Sequence, residues 1–162
     1  MATVPYQPTS RGKYWDDLQI GEMFVSPRRT ITEADIVNFA CITGDFNAPH
    51  IDAEFCREQP YEVPIAHGPM IFSIAAGLTY QTGFAHGTVV AMLGLDSWDI
   101  FLPVKAGDTL HVRVTIHDKA PTSKGRVGII KFFREVVNQR GEVVQSMLVR
   151  NMFLCRPAQV AA

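Results

Sequence analysis

A chain of 162 residues, 47% hydrophobic and with a formal net charge of −1, has the length of one domain and enough apolar content for a core without staples. That charge excludes a chain-wide electrostatic attraction for nucleic acid or an anionic membrane surface. Its three cysteines, Cys41, Cys56 and Cys155, are odd in number, far apart and free of any Cys-x-x-Cys, so they support neither a zinc knuckle nor a disulfide framework and point to a reducing cytoplasm.

Residues 1–13 are polar, contain no apolar run and read as a loose arm. Residues 23–31 read as a short strand broken by Pro27. Thr32 with Asp35 three places on matches a capping box, and Ile36, Val37, Phe39, Ala40 and Ile42 supply helical spacing up to a stop at Gly44. Asp52 is placed to cap a second short helix over 53–58, stopped by Pro60. Gly68-Pro69 is a helix-start signature, and the run from Met70 to Tyr80 is apolar nearly all round, which predicts a helix over 69–82 buried on most faces. Its longest mostly apolar stretch, 65–80, is too short to span a bilayer.

The second half turns to strands. Runs at 88–95 and 97–102 are rich in β-formers. Over 109–117, Leu110, Val112, Val114 and Ile116 alternate with His111, Arg113, Thr115 and His117, the pattern of a half-buried strand. Residues 126–137 and 142–154 read as two more strands joined by an Asn138-Gln139-Arg140-Gly141 turn. Helices early and strands late predict an α+β domain: an antiparallel sheet, strongly curved around the apolar helix, with one helix face and a sheet edge left for a second copy of the chain. Residues 157–162 read as a tail.

Two polar stretches stand out. Thr43-Gly44-Asp45-Phe46-Asn47-Ala48-Pro49-His50 carries a carboxylate and an imidazole; Ala66-His67-Gly68 opens the apolar helix. An acid, a base and a helix N-terminus are the parts needed to add or remove water beside a carbonyl. The same residues also fit a plain turn, with Asp45 and Asn47 in Asx-turns and His50 as a hydrogen-bonded loop histidine. A metal site from Asp45, His50, Asp52 and His67 lacks a helical His-x-x-x-His pattern and is disfavoured.

These two stretches, followed by Pro103-Val104-x-x-Gly107-Asp108-Thr109-Leu110 and Asn138-Gln139-x-Gly141-Glu142-x-Val144, make the segment 14–156 resemble the MaoC-like dehydratases, or (R)-specific enoyl-CoA hydratases. The family pattern commonly places its proline directly after the asparagine; here Pro49 comes one place later, with the Asp-to-His spacing kept. Some relatives carry a serine two turns into the helix, in the region of Ala76. The resemblance implies a hot-dog fold, a long sheet wrapped round a central helix, and a homodimer. It implies an acyl-CoA substrate, with trans-2-enoyl-CoA and (R)-3-hydroxyacyl-CoA interconverted by acid/base chemistry without a metal or other cofactor. Asp45 and His50 would hold the water and the Gly68 N–H would meet the thioester oxygen. Asn47 and His67 would fix or line the pocket, and Met70, Ile71 and Phe72 would flank the acyl chain. A thioesterase of the same fold and a non-catalytic acyl-CoA-binding or dimerisation module are the rival readings. Nucleic-acid and membrane partners are not expected.

Overall fold

The alternation at 109–117 becomes strand β4 (Thr109–Pro121): Leu110, Val112 and Val114 are fully buried, while His111, Arg113 and Thr115 stay half-exposed. The computed structural model describes residues 12–157 apart from Lys124, so the expected arm and tail, beyond Gly12, Lys13 and Pro157, lie outside the described residues. Gly12 and Lys13 are pinned: their N–H groups donate to the carbonyls of His86 and Phe84 at 2.6 and 2.7 Å.

β4 lies within one antiparallel sheet. On one side it pairs with β1 (Met23–Val25) and β2 (Arg29–Thr30), the two pieces left by Pro27. On the other it pairs with β5 (Val127–Val137), followed by β6 (Val143–Leu154) and β3 (Val89–Ile100), in the order β1-β4-β5-β6-β3. The two β-rich runs expected at 88–95 and 97–102 are one strand, β3. Register shifts at Val89/Ala91, Met92/Gly94 and Leu95/Ser97 carry it past the polar break as bulges rather than a turn.

Helix α1 (Glu33–Thr43) starts as its capping box dictates: Thr32 Oγ1 accepts from Asp35 N at 3.1 Å and Asp35 Oδ2 accepts from Thr32 N at 2.9 Å. It ends at Gly44, whose φ of 77° is the left-handed conformation a glycine adopts without a Cβ penalty. A short helix, α2 (Ala48–Ile51), was not expected in the loop that follows. Pro49 sits in its first turn, where a missing N–H leaves no intrahelical bond broken. Asp52 caps α3 (Ala53–Arg57), its Oδ1 accepting from the N–H groups of Glu54 and Phe55 at 3.0 Å.

Helix α4 (Gly68–Gln81) packs on the curved sheet through Met70, Ile71, Ala75, Leu78 and Thr79, in one core with Ile116, Ile130, Phe132, Met147 and Phe153. This is the hot-dog arrangement. Pro69, Ser73, Ala76, Gly77 and Tyr80 form an exposed face in the single chain, the open helix face that was expected, and burial within the chain is less complete than the nearly all-round apolar run predicts. β3 is likewise bare, with Val90, Met92 and Ile100 each about half exposed. Among the described residues no helix is long and apolar enough to cross a membrane.

Candidate active site

The four polar stretches of the sequence meet in space. The carbonyl of Val104 accepts from Ala66 N at 2.7 Å, and Ile65 bridges to Lys105, so the Pro103 turn holds the approach to α4. Asp108 then fastens that turn to the β5–β6 hairpin. Its carboxylate accepts from Lys105 N at 2.9 Å and from Gln139 Nε2 at 2.7 Å, and Arg140 Nη1 stands at 3.4 Å. Burial works to raise its pKa, but these donors and the Arg140 charge outweigh it and hold the carboxyl below the ordinary value of 3.8.

The loop after α1 hangs on the start of α4. Pro49 O accepts from Ile65 N at 3.0 Å, and buried Cys56 lies beneath α2 with its thiol near the carbonyls of Ala48 and Pro49. His50 Nδ1 is 2.7 Å from the Ile65 carbonyl. A carbonyl can only accept, so Nδ1 carries the proton and a neutral His50 keeps its lone pair on Nε2. His67, only 1% exposed, reaches the Asp45 carbonyl with Nε2 at 2.9 Å, and its buried Nδ1 has no hydrogen-bond partner among the described residues. Its ring stacks on His50 with centroids 3.6 Å apart and lies tilted against Phe39 at 5.1 Å.

Asp45 completes the group. Its carboxylate is 40% exposed and lies 4.0 Å from His67 Nε2. Asn47 donates to Asp45 Oδ1 through both its side-chain amide and its backbone N–H. Desolvation acts to raise the Asp45 pKa, but the two Asn47 donors and the imidazoles of His50 and His67 bring it below the ordinary 3.8. Asp45 is therefore an anion throughout the neutral range.

Ligand atoms of Asp45, His50 and His67 lie within 4.8 Å of one another, close enough for a cation to be considered. The stacking of the two imidazoles argues against it. Ring lone pairs lie in the ring plane, and the planes of two rings 24° from parallel with centroids 3.6 Å apart do not meet within the reach of a metal–nitrogen bond. A shared ion would have to leave the plane of at least one ring. Asp52, the fourth member of that disfavoured set, is spent on the α3 cap.

Gly68 follows His67 directly as the first residue of α4, where amides have no intrahelical acceptor. A Cβ there would stand 2.5 Å from Ile100 Cδ1. Gln145 escaped sequence reasoning: 1% exposed, it donates through Nε2 to the Gly68 carbonyl at 3.1 Å and accepts from Trp98 Nε1 at 3.1 Å. Its signal was a polar residue amid the apolar residues at the head of β6, a position that buries it beside α4.

Of the remaining site candidates, Met70 lines a cleft of about 320 Å³ between α1 and α4 with Phe39, Ser73, Ile74, Gly77 and Leu78. Phe72 is half-buried against Trp98 at 5.6 Å. Ile71 is sealed in the core at 1% exposure. A second cleft, about 560 Å³, opens beside His50 and is walled by Ile36, Val37, Phe46, Ile51, Val63 and Pro64. Asp45, His50 and His67 thus come together, with Gly68 one peptide bond away, and an apolar cleft reaches His50.

Comparison with known proteins gives the family. The sequence is 41% identical over 107 residues to protein MaoC of Klebsiella aerogenes, an alignment covering 66% of this chain and 31% of that protein, so the chain spans about a third of that relative's length. It is 26% identical over 131 residues to an (R)-specific enoyl-CoA hydratase of Rhodospirillum rubrum, covering 81% of this chain and 85% of the other. The structure of a monoamine oxidase regulatory protein from Archaeoglobus fulgidus superposes with a TM-score of 0.84 at 32% identity, covering 91% of this chain and 98% of that one. The MaoC-like domain profile matches residues 17–133, which includes the Asp45–His50 loop and the whole of α4, and the chain belongs to the MaoC-like domain family.

Proposed function

We propose that the chain is a hydro-lyase that interconverts a trans-2-enoyl thioester and its (R)-3-hydroxyacyl counterpart, with coenzyme A as the thiol carrier and no metal or further cofactor. The observation that carries this reading is the packing of Asp45, His50 and His67 against the first residue of α4. A relative named for (R)-specific enoyl-CoA hydration supports the reaction class.

In this reading water sits between the Asp45 carboxylate and His50 Nε2. Asp45, held ionised, orients it by accepting one O–H. His50 Nε2 takes the other proton as the water oxygen bonds to the β-carbon. The carbon–carbon π pair moves toward the α-carbon and the thioester oxygen gains negative charge. The Gly68 N–H at the helix N-terminus stabilises that charge. The imidazolium then returns its proton to the α-carbon, so one water is added and nothing else is consumed. Asn47 positions Asp45, and His67 positions both loop and imidazole. Met70 and Phe72 flank the acyl chain; Ile71, sealed behind them, supports their packing.

The assembly belongs to the same proposal. Among the described residues β3 ends the sheet with twelve residues of unpaired edge and a row of exposed apolar side chains, an aggregation hazard unless covered. A second copy pairing along β3 and closing over the bare face of α4 gives a homodimer. Sedimentation should report twice the chain mass, with Leu93→Lys shifting it toward the monomer.

Hydration of crotonyl-CoA tests the function: enoyl absorbance should fall without release of a thiol. Thiol release instead would identify the rival thioesterase, and binding without turnover a non-catalytic module.

A further inference from the structure

The N–H of Gly68 can serve a thioester oxygen only if it points one way. Glycine has the widest choice of backbone angles of any residue, so its own geometry does not fix that direction. The two peptide planes that meet at Gly68 must be held from outside. The first joins the His67 carbonyl to the Gly68 N–H. It is held by the helix and the loop: Ile71 N donates to the His67 carbonyl at 3.2 Å, and the His67 ring is anchored on the Asp45 backbone. The second plane joins the Gly68 carbonyl to Pro69, which has no N–H to offer. It is held from the sheet, by Gln145.

Gln145 lies on β6, opposite Ile100 of β3 in the register, and both reach the same glycine. Ile100 Cδ1 stands 2.5 Å, and Gln145 Nε2 3.9 Å, from where a Cβ of Gly68 would be. Gln145 is 1% exposed. A buried amide costs stability unless its hydrogen bonds are met, and a hydrocarbon side chain would fill this position without that cost. Both ends of the Gln145 amide are met, each at 3.1 Å. An indole N–H can only donate and a carbonyl can only accept. One orientation of the amide therefore satisfies both, with Oε1 towards Trp98 and Nε2 towards Gly68. Trp98 is held in turn by Phe72, one turn into α4, with ring centroids 5.6 Å apart. The contacts run from helix to sheet and back: Gly68, Gln145, Trp98, Phe72.

We propose that Gln145 is a positioning residue for the hydration step: by holding the Gly68 carbonyl it sets the direction in which the Gly68 N–H meets the developing oxyanion. This rests on the hydro-lyase reading above. Charge on the thioester oxygen is small in the bound substrate and large at the transition state, so misalignment costs rate rather than substrate affinity.

Steady-state hydration of crotonyl-CoA by wild type, Gln145→Met and Trp98→Phe tests this, with kcat and KM separated. Methionine matches the reach of glutamine and cannot donate. It should lower kcat about tenfold with KM within about twofold. Trp98→Phe removes the donor that orients the amide and should lower kcat about threefold; the double variant should fall no further than Gln145→Met, because both act through one carbonyl. Binding gives a second readout. The enolate of acetoacetyl-CoA carries negative charge on the thioester oxygen and butyryl-CoA carries none, so Gln145→Met should weaken the first about tenfold and the second hardly at all. A residue that only ties helix to sheet would lower the thermal midpoint and leave kcat and the enolate-to-butyryl preference of the folded enzyme unchanged, and that result overturns the proposal. If Gln145→Met does not fold, Trp98→Phe decides, and a wild-type kcat in that variant overturns it. A wild type that does not hydrate crotonyl-CoA brings down the hydro-lyase reading and this one with it. A wild type that does, beside a Gln145→Met variant of equal kcat, brings down this one alone.

Discussion

The two ends of α4 treat buried polar groups in opposite ways. At the N-terminal end most polar groups answer one another: Asp45 is met by Asn47, His50 by Ile65, His67 Nε2 by the Asp45 backbone, and the Gly68 carbonyl by Gln145, with His67 Nδ1 left over. Towards the C-terminal end Arg134 of β5, 4% exposed, meets the Met147 sulfur and the Phe132 ring face, and among the described residues no carboxylate pairs with it. A network of mutual partners fixes geometry, which acid/base chemistry needs. An unpaired charge fixes nothing and costs stability. The difference lies in how far the polar groups answer one another.

Substitutions separate the two ends. The largest effect is expected at the dyad: Asp45→Ala should lower crotonyl-CoA hydration by about 10²–10⁴-fold with an unchanged thermal midpoint, as removal of an acid/base partner does. Next comes the scaffold behind it. Asp108→Ala strands Lys105 N and Gln139 Nε2 and should cost about 1–3 kcal/mol in denaturant unfolding. Asp108 has a depressed folded pKa, so its contribution is full above the unfolded carboxylate value and should fade as pH falls through the folded one.

A smaller effect is expected at Gly68→Ala. The new methyl meets the end of a flexible side chain, Ile100 Cδ1 at 2.5 Å. Hydration should fall by about tenfold, and Ile100→Val in the same chain should restore part of the rate, a coupling that independent sites would not show. At the other end, Arg134→Met should leave the rate alone and raise the unfolding midpoint slightly. The smallest effect is an absence: with Asp45 held below 3.8, the pH–rate profile should show no carboxylate step between about pH 5 and neutrality.

Much of the N-terminal end was legible because its signals are local. Thr32 and Asp35 announce α1, Gly44 ends it, and Gly68-Pro69 opens α4. The four motif stretches could be read in order, but that Val104 holds Ala66 and Gln139 grips Asp108 follows only from the folded path. α2 escaped because Asn47-Ala48-Pro49 reads as a turn, and one turn of helix uses the same residues. A face of α4 left for a second copy was legible from its apolar content, but which residues form that face follows only from how the helix sits on the sheet. Arg134 escaped for a related reason. In the alternation of β5 it occupies an inward position between Phe132 and Val136, but only the folded sheet shows that no carboxylate of the described residues waits there.

The central claim is that His50 Nε2, facing Asp45 at the head of α4, activates water for addition to an enoyl thioester. Side-by-side hydration of crotonyl-CoA by wild type and His50→Ala, with chiral analysis of the product, tests it most directly. The account predicts an (R)-3-hydroxy product from wild type and a loss of about 10²–10⁴-fold in the variant at unchanged stability. A wild type that leaves the enoyl absorbance untouched, or a variant with the same rate, would contradict it.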